Sequence, residues 1–236
     1  MRWAPSPASL CAAIAVAALA LLPGSAAQAQ FSGSVALASN EMFRGDTVSA
    51  NAPTASLSLS LDDDSGLFAG GAASVAATAG DPRIVAANQY VGYAKRFGQL
   101  SLEGGLIHRS YARVVDTEYR RGFFEAYVGF THKSLKGRVY VSPDYRRDGR
   151  TSAYAELNAR LLALGRWNLE GHAGLSMIAQ PDGIGRAPLR PFADWRLQLG
   201  RPIGPFFLTM GAAATAYPVY SSRGLTRAFV SFSHAF

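Results

Sequence analysis

Glu156, Asn158 and Arg160 stand two residues apart, and the same spacing links Glu170 to His172, Arg138 to Tyr140, and Asp194 to Arg196 and Gln198. Side chains two apart on an extended strand point the same way. With Glu103, Glu125 and Arg227, they form a surface that carries both signs of charge and many hydrogen-bonding groups. Two kinds of chemistry follow. Charged rings around a water-filled path decide which ions and solutes pass. Opposite charges on neighbouring strands instead pair across an enclosed interior and plug it. The first is preferred here, as a narrow or partly gated path.

Catalytic machinery is not evident. There is no G-x-S-x-G, no H-E-x-x-H and no phosphate-binding loop. The histidines His108, His132, His172 and His234 are scattered. A lipid hydrolase of the outer membrane would need a Ser–His pair. Ser233 and His234 are adjacent, so on a strand they face opposite ways and cannot pair directly. His234 reads more simply as an interfacial residue at one rim. The reading is therefore not an enzyme, and no cofactor or metal is implied.

The elements that must hold these residues are strands. Ala153, Ala155, Leu157, Ala159 and Leu161 alternate with Tyr154, Glu156, Asn158 and Arg160. Trp167, Leu169, Ala173, Leu175 and Met177 alternate with Asn168, Glu170, His172 and Ser176. Ala193, Trp195, Leu197 and Leu199 oppose Asp194, Arg196 and Gln198; Phe124, Ala126, Val128 and Phe130 oppose Glu125, Tyr127 and Thr131. Leu57, Leu59 and Leu61 alternate with serines. A water-soluble β-sandwich alternates as well, with its apolar face as a packed core. Here the apolar face is light, with much Ala and Gly and with Trp and Tyr near segment ends. Lipid demands no jigsaw packing and collects aromatics at its interfaces, so the pattern favours a transmembrane barrel.

Both chain ends agree. Arg2, the apolar run Leu10–Leu22, the Pro23-Gly24 break and the A-x-A site at Ala27-Gln28-Ala29 form an export signal, too short to span a bilayer. The expected organisation is a cleaved signal peptide over 1–29 and one barrel over 30–236. Cys11, the only cysteine, leaves with the signal, which removes thiolate, disulfide and cysteine-metal chemistry. Loss of Arg2 lowers the net charge from +7 to +6. At the other end Val230, Phe232 and Phe236 share a face of a closing strand that ends in an aromatic. That ending is the address read by the barrel assembly machinery of Gram-negative bacteria.

Tight connections at Asp62–Gly66, Phe97–Gln99, Lys133–Gly137, Leu164–Arg166 and Pro202–Pro205 alternate with a mostly longer set at 44–53, 79–88, 112–122, 145–150, 180–190 and 218–223. Short turns on one side and longer loops on the other is the outer-membrane pattern, and the count comes to about twelve strands. The longer loops carry Arg44, Arg83, Arg113, Arg120, Arg121, Arg146, Arg147, Arg150, Arg186, Arg190 and Arg223. Their acids are Glu41, Asp46, Asp81, Asp116, Glu118, Asp144, Asp148 and Asp182. Arginine binds phosphate bidentately, so these loops suit docking to lipopolysaccharide phosphates; a simply solvated surface explains them equally well. An exported barrel meets no nucleic acid.

The segment Phe31–Asn40, followed by Met42-Phe43-Arg44-Gly45, resembles the opening G-x-V-A-L-x-S-D-Y-x-F-R-G of the Gcw_chp family, whose members are also called TorF-type porins. Ser65–Gly70, Tyr90–Tyr93 and Asp194–Gly200 resemble further family segments in the same order. This chain has Asn40-Glu41 where an Asp and an aromatic are usual, and from Thr47 onwards it departs from the usual I-S-Q. The resemblance implies an outer-membrane barrel and no particular solute. The expected function is passive diffusion of small hydrophilic solutes, with a slight anion preference set by the basic loops. A closed structural or surface-interaction barrel is the alternative, and a lipid hydrolase the second.

Overall fold

The computed structural model describes residues 30–78, 82–111, 121–145, 150–179, 189–216 and 226–236. The expected signal peptide, 1–29, lies outside them, as do Arg113, Arg120, Arg146, Arg147, Arg186 and Arg223. In chain order the strands are β1 (Gln30–Ala38), β2 (Met42–Phe43), β3 (Asp46–Thr47), β4 (Thr54–Asp62), β5 (Leu67–Ala76), β6 (Arg83–Phe97), β7 (Leu100–Tyr111), β8 (Arg121–His132), β9 (Leu135–Tyr145), β10 (Arg150–Leu164), β11 (Trp167–Ala179), β12 (Leu189–Ile203), β13 (Phe206–Thr215) and β14 (Arg227–Ala235). All but β2 and β3 form one closed antiparallel barrel of twelve strands, each pairing with its neighbours along the chain. β2 and β3 form a separate hairpin.

Closure is made by β1 against β14, from Ser34 opposite Ala235 to Ala38 opposite Ser231. The terminal residue extends the seam: the Phe236 N–H donates to the Gly33 carbonyl, and the Gly33 N–H donates to the Phe236 carbonyl, both at 2.9 Å. A closed ladder leaves no edge, so every strand can satisfy its backbone inside a bilayer.

Exposure separates the barrel from a sandwich. Leu37, Phe124, Val128 and Leu164 are between 61% and 66% exposed, whereas Glu125 is 1% and Asp194 4% exposed. A water-soluble fold buries the first set and hydrates the second. Here the order is inverted, as lipid outside and a polar interior require.

Four of the five tight connections are two-residue turns, and each begins with a residue of positive φ: Gly98, Lys133, Gly165 and Gly204. This is the II′ arrangement, whose twist matches that of antiparallel strands. The fifth, over 63–66, is tied by the Ser65 N–H donating to Asp63 Oδ1 at 2.8 Å. The Ser65 hydroxyl and N–H together hold the Asp63 carboxyl below the usual carboxylate range.

Strands on the long-loop side run further than the alternation suggests. Arg83, Arg121, Asp144, Arg150 and Arg190, expected in loops, belong to β6, β8, β9, β10 and β12. Backbone pairing does not require apolar side chains, so the ladder continues past the lipid-facing band. The segments with the weakest pattern, 66–78 and 90–96, contain β5 and the second half of β6.

Candidate functional site in the barrel interior

The chain does not bridge β1 and β4 outside the barrel. Residues 39–53 turn into it and are held by their own side chains. The Asn40 amide oxygen accepts from the Thr47 and Ser49 hydroxyls, while its nitrogen donates to Asn51 Oδ1 at 3.2 Å. The Glu41 N–H donates to Ser49 Oγ at 3.0 Å. At the tip, Arg44 (φ 48°) and Gly45 (φ 74°) both have positive φ. That is the I′ pattern, normally filled by Asn-Gly. A side chain at Gly45 would collide with the Ala214 carbonyl and the Asp194 side chain, so the tip sits directly on β12 and β13.

Arg44 pays for its unusual backbone with its partners. Its Nη2 donates to Glu125 Oε1 at 2.6 Å, and Arg109 Nε donates to the other oxygen at 2.9 Å. The Arg44 guanidinium lies 3.9 Å from the centre of the Tyr154 ring and 4.8 Å from that of Phe43. Two cations on one carboxylate leave an excess positive charge, which the faces of these rings partly offset. Around Phe43, a mostly aromatic cluster of Phe123, Tyr145, Tyr111 and Phe192, with Ile178, packs in the long-loop half of the interior.

The turn-side half is more open. Tyr127, Tyr140 and Tyr154 line β8, β9 and β10 with ring centres 5.6 and 6.0 Å apart. Arg138 grips Glu103 with two bonds, Nε to Oε1 at 2.6 Å and Nη2 to Oε2 at 3.1 Å, and Lys136 Nζ stands 3.7 Å from the same carboxylate. The Tyr140 hydroxyl donates to Glu156 at 3.2 Å. His172 Nε2 lies 2.9 Å from Asp194 Oδ1 and its Nδ1 lies 2.8 Å from Asn158 Oδ1. Gln198 Nε2 donates to Glu170 at 2.8 Å.

Three polar cavities run through this half. One of about 460 Å³ is bounded by Asp62, Tyr90, Glu103, Arg109, Arg138 and Tyr140. A second, of about 260 Å³, lies against Phe43 and Arg44 and is bounded by Arg109, Tyr140, Tyr154, Glu156, Asn158, His172 and Arg196. A third, of about 220 Å³, is bounded by Lys133, Lys136, Asn158, Arg160, Glu170, Arg196 and Gln198. The first two share Arg109 and Tyr140, and the last two share Asn158 and Arg196.

Every polar residue singled out from the sequence faces this interior. Ten of them bound the cavities: Glu103, Arg138, Tyr140, Glu156, Asn158, Arg160, Glu170, His172, Arg196 and Gln198. Glu125 binds Arg44 and Arg109, Asp194 binds His172, and Arg227 donates to Asn51 at 2.9 Å. Val230, Phe232 and Phe236 face outward, each at least 40% exposed. His234 borders none of the three cavities; its Nδ1 lies 2.8 Å from the Pro205 carbonyl at the turn-side rim.

One arginine needs correction. Arg44, counted among the loop arginines available to lipopolysaccharide, has a side chain only 9% exposed and bound to Glu125 within the barrel. Asp46, counted among the loop acids, is buried beside it. Arg109, near the long-loop end of β7, shares Glu125 with Arg44. Lys136, Tyr127 and Tyr154 also belong to the interior. They keep the same two-residue phase as Arg138, Glu125 and Glu156, so the alternation already pointed to them.

A closed, even-numbered antiparallel barrel with an apolar outer face and a polar interior is the architecture of transmembrane outer-membrane barrels. The chain belongs to the Gcw_chp family, described as bacterial proteins of unknown function, whose model matches residues 23–217. Among solved structures it resembles KdgM porin, at 9% identity and a TM-score of 0.50 over 87% of this chain and 99% of that one. It also resembles a chain solved in work on in-meso crystallization of membrane proteins, at 11% identity and a TM-score of 0.51, covering 87% and 83%. At these identities the likeness is one of fold. No curated protein matches by sequence.

Proposed function

We propose that this protein is a narrow outer-membrane channel through which small hydrophilic solutes diffuse passively, with a slight anion preference. The observation that carries the reading is the set of three polar cavities with shared walls, which leads from the turn side up to the Arg44 hairpin. In this reading the hairpin is the constriction. No energy coupling or cofactor enters it. The export signal delivers the chain to the periplasm, and the assembly machinery reads the strand that ends at Phe236. In this reading the loop-side arginines, among them Arg83 and Arg150 at the long-loop ends of β6 and β10, bind lipopolysaccharide phosphates.

A second reading, a closed structural barrel, is favoured by the aromatic cluster around Phe43 and by the hydrogen bonds that fix residues 39–53. Single-channel recording of refolded protein in a planar bilayer separates the two. Discrete conductance steps support the channel. A silent bilayer, with protein that still shows heat-modifiable migration, supports the closed barrel.

A further inference from the structure

Five interior acids are engaged, and two interior arginines are not. Glu125 is bound by two arginines, Glu103 by Arg138 and Lys136, Asp194 by His172 and Tyr154, Glu156 by Tyr140 and Glu170 by Gln198. Among the described residues, Arg160 and Arg196 make no ion pair and no side-chain hydrogen bond. Both bound the cavity of about 220 Å³, together with Lys133 and Lys136. A tally of charges along the interior suggests near neutrality; the pairing pattern leaves the positive charge concentrated in one place.

We propose that this cavity, on the turn side of the constriction, is a binding site for small dianions. The proposal rests on the channel reading for its place on a solute path, but the site itself does not depend on conduction. Guanidinium groups present paired N–H donors that match the oxygens of carboxylate or phosphate. Arg160 and Arg196 supply two such groups, and the lysine ammoniums add charge without competing for geometry. Glu170, the one acid on the cavity wall, has its carboxylate held by Gln198. A concave, low-dielectric wall focuses the field of like charges and enriches counter-ions within it. The volume lies below the roughly 300–1,000 Å³ of sites for drug-sized ligands, so a solute of few heavy atoms fits. Two unpaired cations favour a doubly charged ligand over a singly charged one.

The test is equilibrium titration of the refolded barrel in neutral detergent, by calorimetry, with inorganic phosphate and with succinate as probes. Saturable binding of either, weakened as salt rises, is expected. It should weaken at least tenfold in Arg160→Gln/Arg196→Gln. It should weaken less in Lys133→Asn, which removes one charge while keeping a residue that tolerates positive φ. Lys95→Gln, on the lipid-facing side of β6, should leave it unchanged. Binding of one probe alone assigns the site to that oxyanion. Absence of saturable binding to folded protein overturns the proposal, as does equal binding in the double variant. Conductance is measured on the same preparations. A silent barrel that binds phosphate sinks the channel reading and leaves the site standing; a conducting barrel that binds neither probe does the reverse.

Discussion

Arg44 and Glu125 are 81 residues apart in the chain and meet at 2.6 Å inside the barrel. The bond ties an infolded hairpin to the wall of β8, with Arg109 as a second cation on the same carboxylate. It fixes both how far residues 39–53 enter and how much of the interior stays open.

Glu125→Gln should loosen this arrangement strongly. Gln keeps the shape but leaves two buried cations without a counter-charge. Breaking a buried pair by removing one partner costs about 3–5 kcal/mol. The unfolding midpoint in denaturant should fall, and Arg44→Gln in the same chain should restore part of the loss, because it removes one stranded charge. The two mutations should thus be non-additive, as expected for residues in one network. Additive effects would show that Arg44 and Glu125 do not act together in the membrane.

Gly45→Val should push the hairpin out of its seat while leaving the barrel closed. The glycine has φ 74°, and a Cβ added there would run into the Ala214 carbonyl, so a branched side chain meets both backbone strain and a backbone clash. The variant should keep heat-modifiable migration, gain conductance and become open to protease within 39–53. A folded variant with unchanged conductance would show that the hairpin does not limit passage.

The wall was legible in the sequence because period two is a local signal: Glu156 and Leu157 declare opposite faces without reference to any other strand. Turns were legible for the same reason, through Gly98, Gly165 and Gly204. The constriction was not. An arginine between strands ordinarily marks a solvated loop, and nothing near Arg44 names Glu125 as its partner. The one local hint is Gly45 after Phe43-Arg44, a pair suited to a tight positive-φ turn. The charge pattern was half legible. The interior residues could be named, but which acids were already occupied, and that Arg160 and Arg196 were left over, depends on registers between strands.

Phe236 should matter for assembly more than for final stability. Both of its backbone groups pair with Gly33, and its ring lies where a Gly33 side chain would be. Deleting it removes the last rung of the closing seam and, in the proposed reading, an aromatic that the assembly machinery recognises. In cells, the truncated chain should accumulate in the periplasm; refolded in detergent, it should still close through the Ser34–Ala235 to Ala38–Ser231 pairs. Normal outer-membrane levels of the truncated chain would remove Phe236 from the assembly signal.

Leu197 and Gln198 are neighbours on β12 that face opposite media, and they give the most direct test of which side meets lipid. Leu197 is 45% exposed on the outer wall, several residues from either end of the strand, so it sits well within the apolar band. Gln198 borders the cationic cavity. An arginine on the lipid face near the bilayer midplane costs about 2–4 kcal/mol, while an inward one meets water and polar groups. Leu197→Arg should therefore lower the stability of the barrel in lipid vesicles by about that amount. Gln198→Arg should change it much less, and its new positive charge should move the reversal potential under a salt gradient toward anions. The two readouts are independent, one thermodynamic and one electrical. If Gln198→Arg were the more damaging substitution in lipid, the two faces of β12 would have to be exchanged, and with them every interior residue of the neighbouring strands.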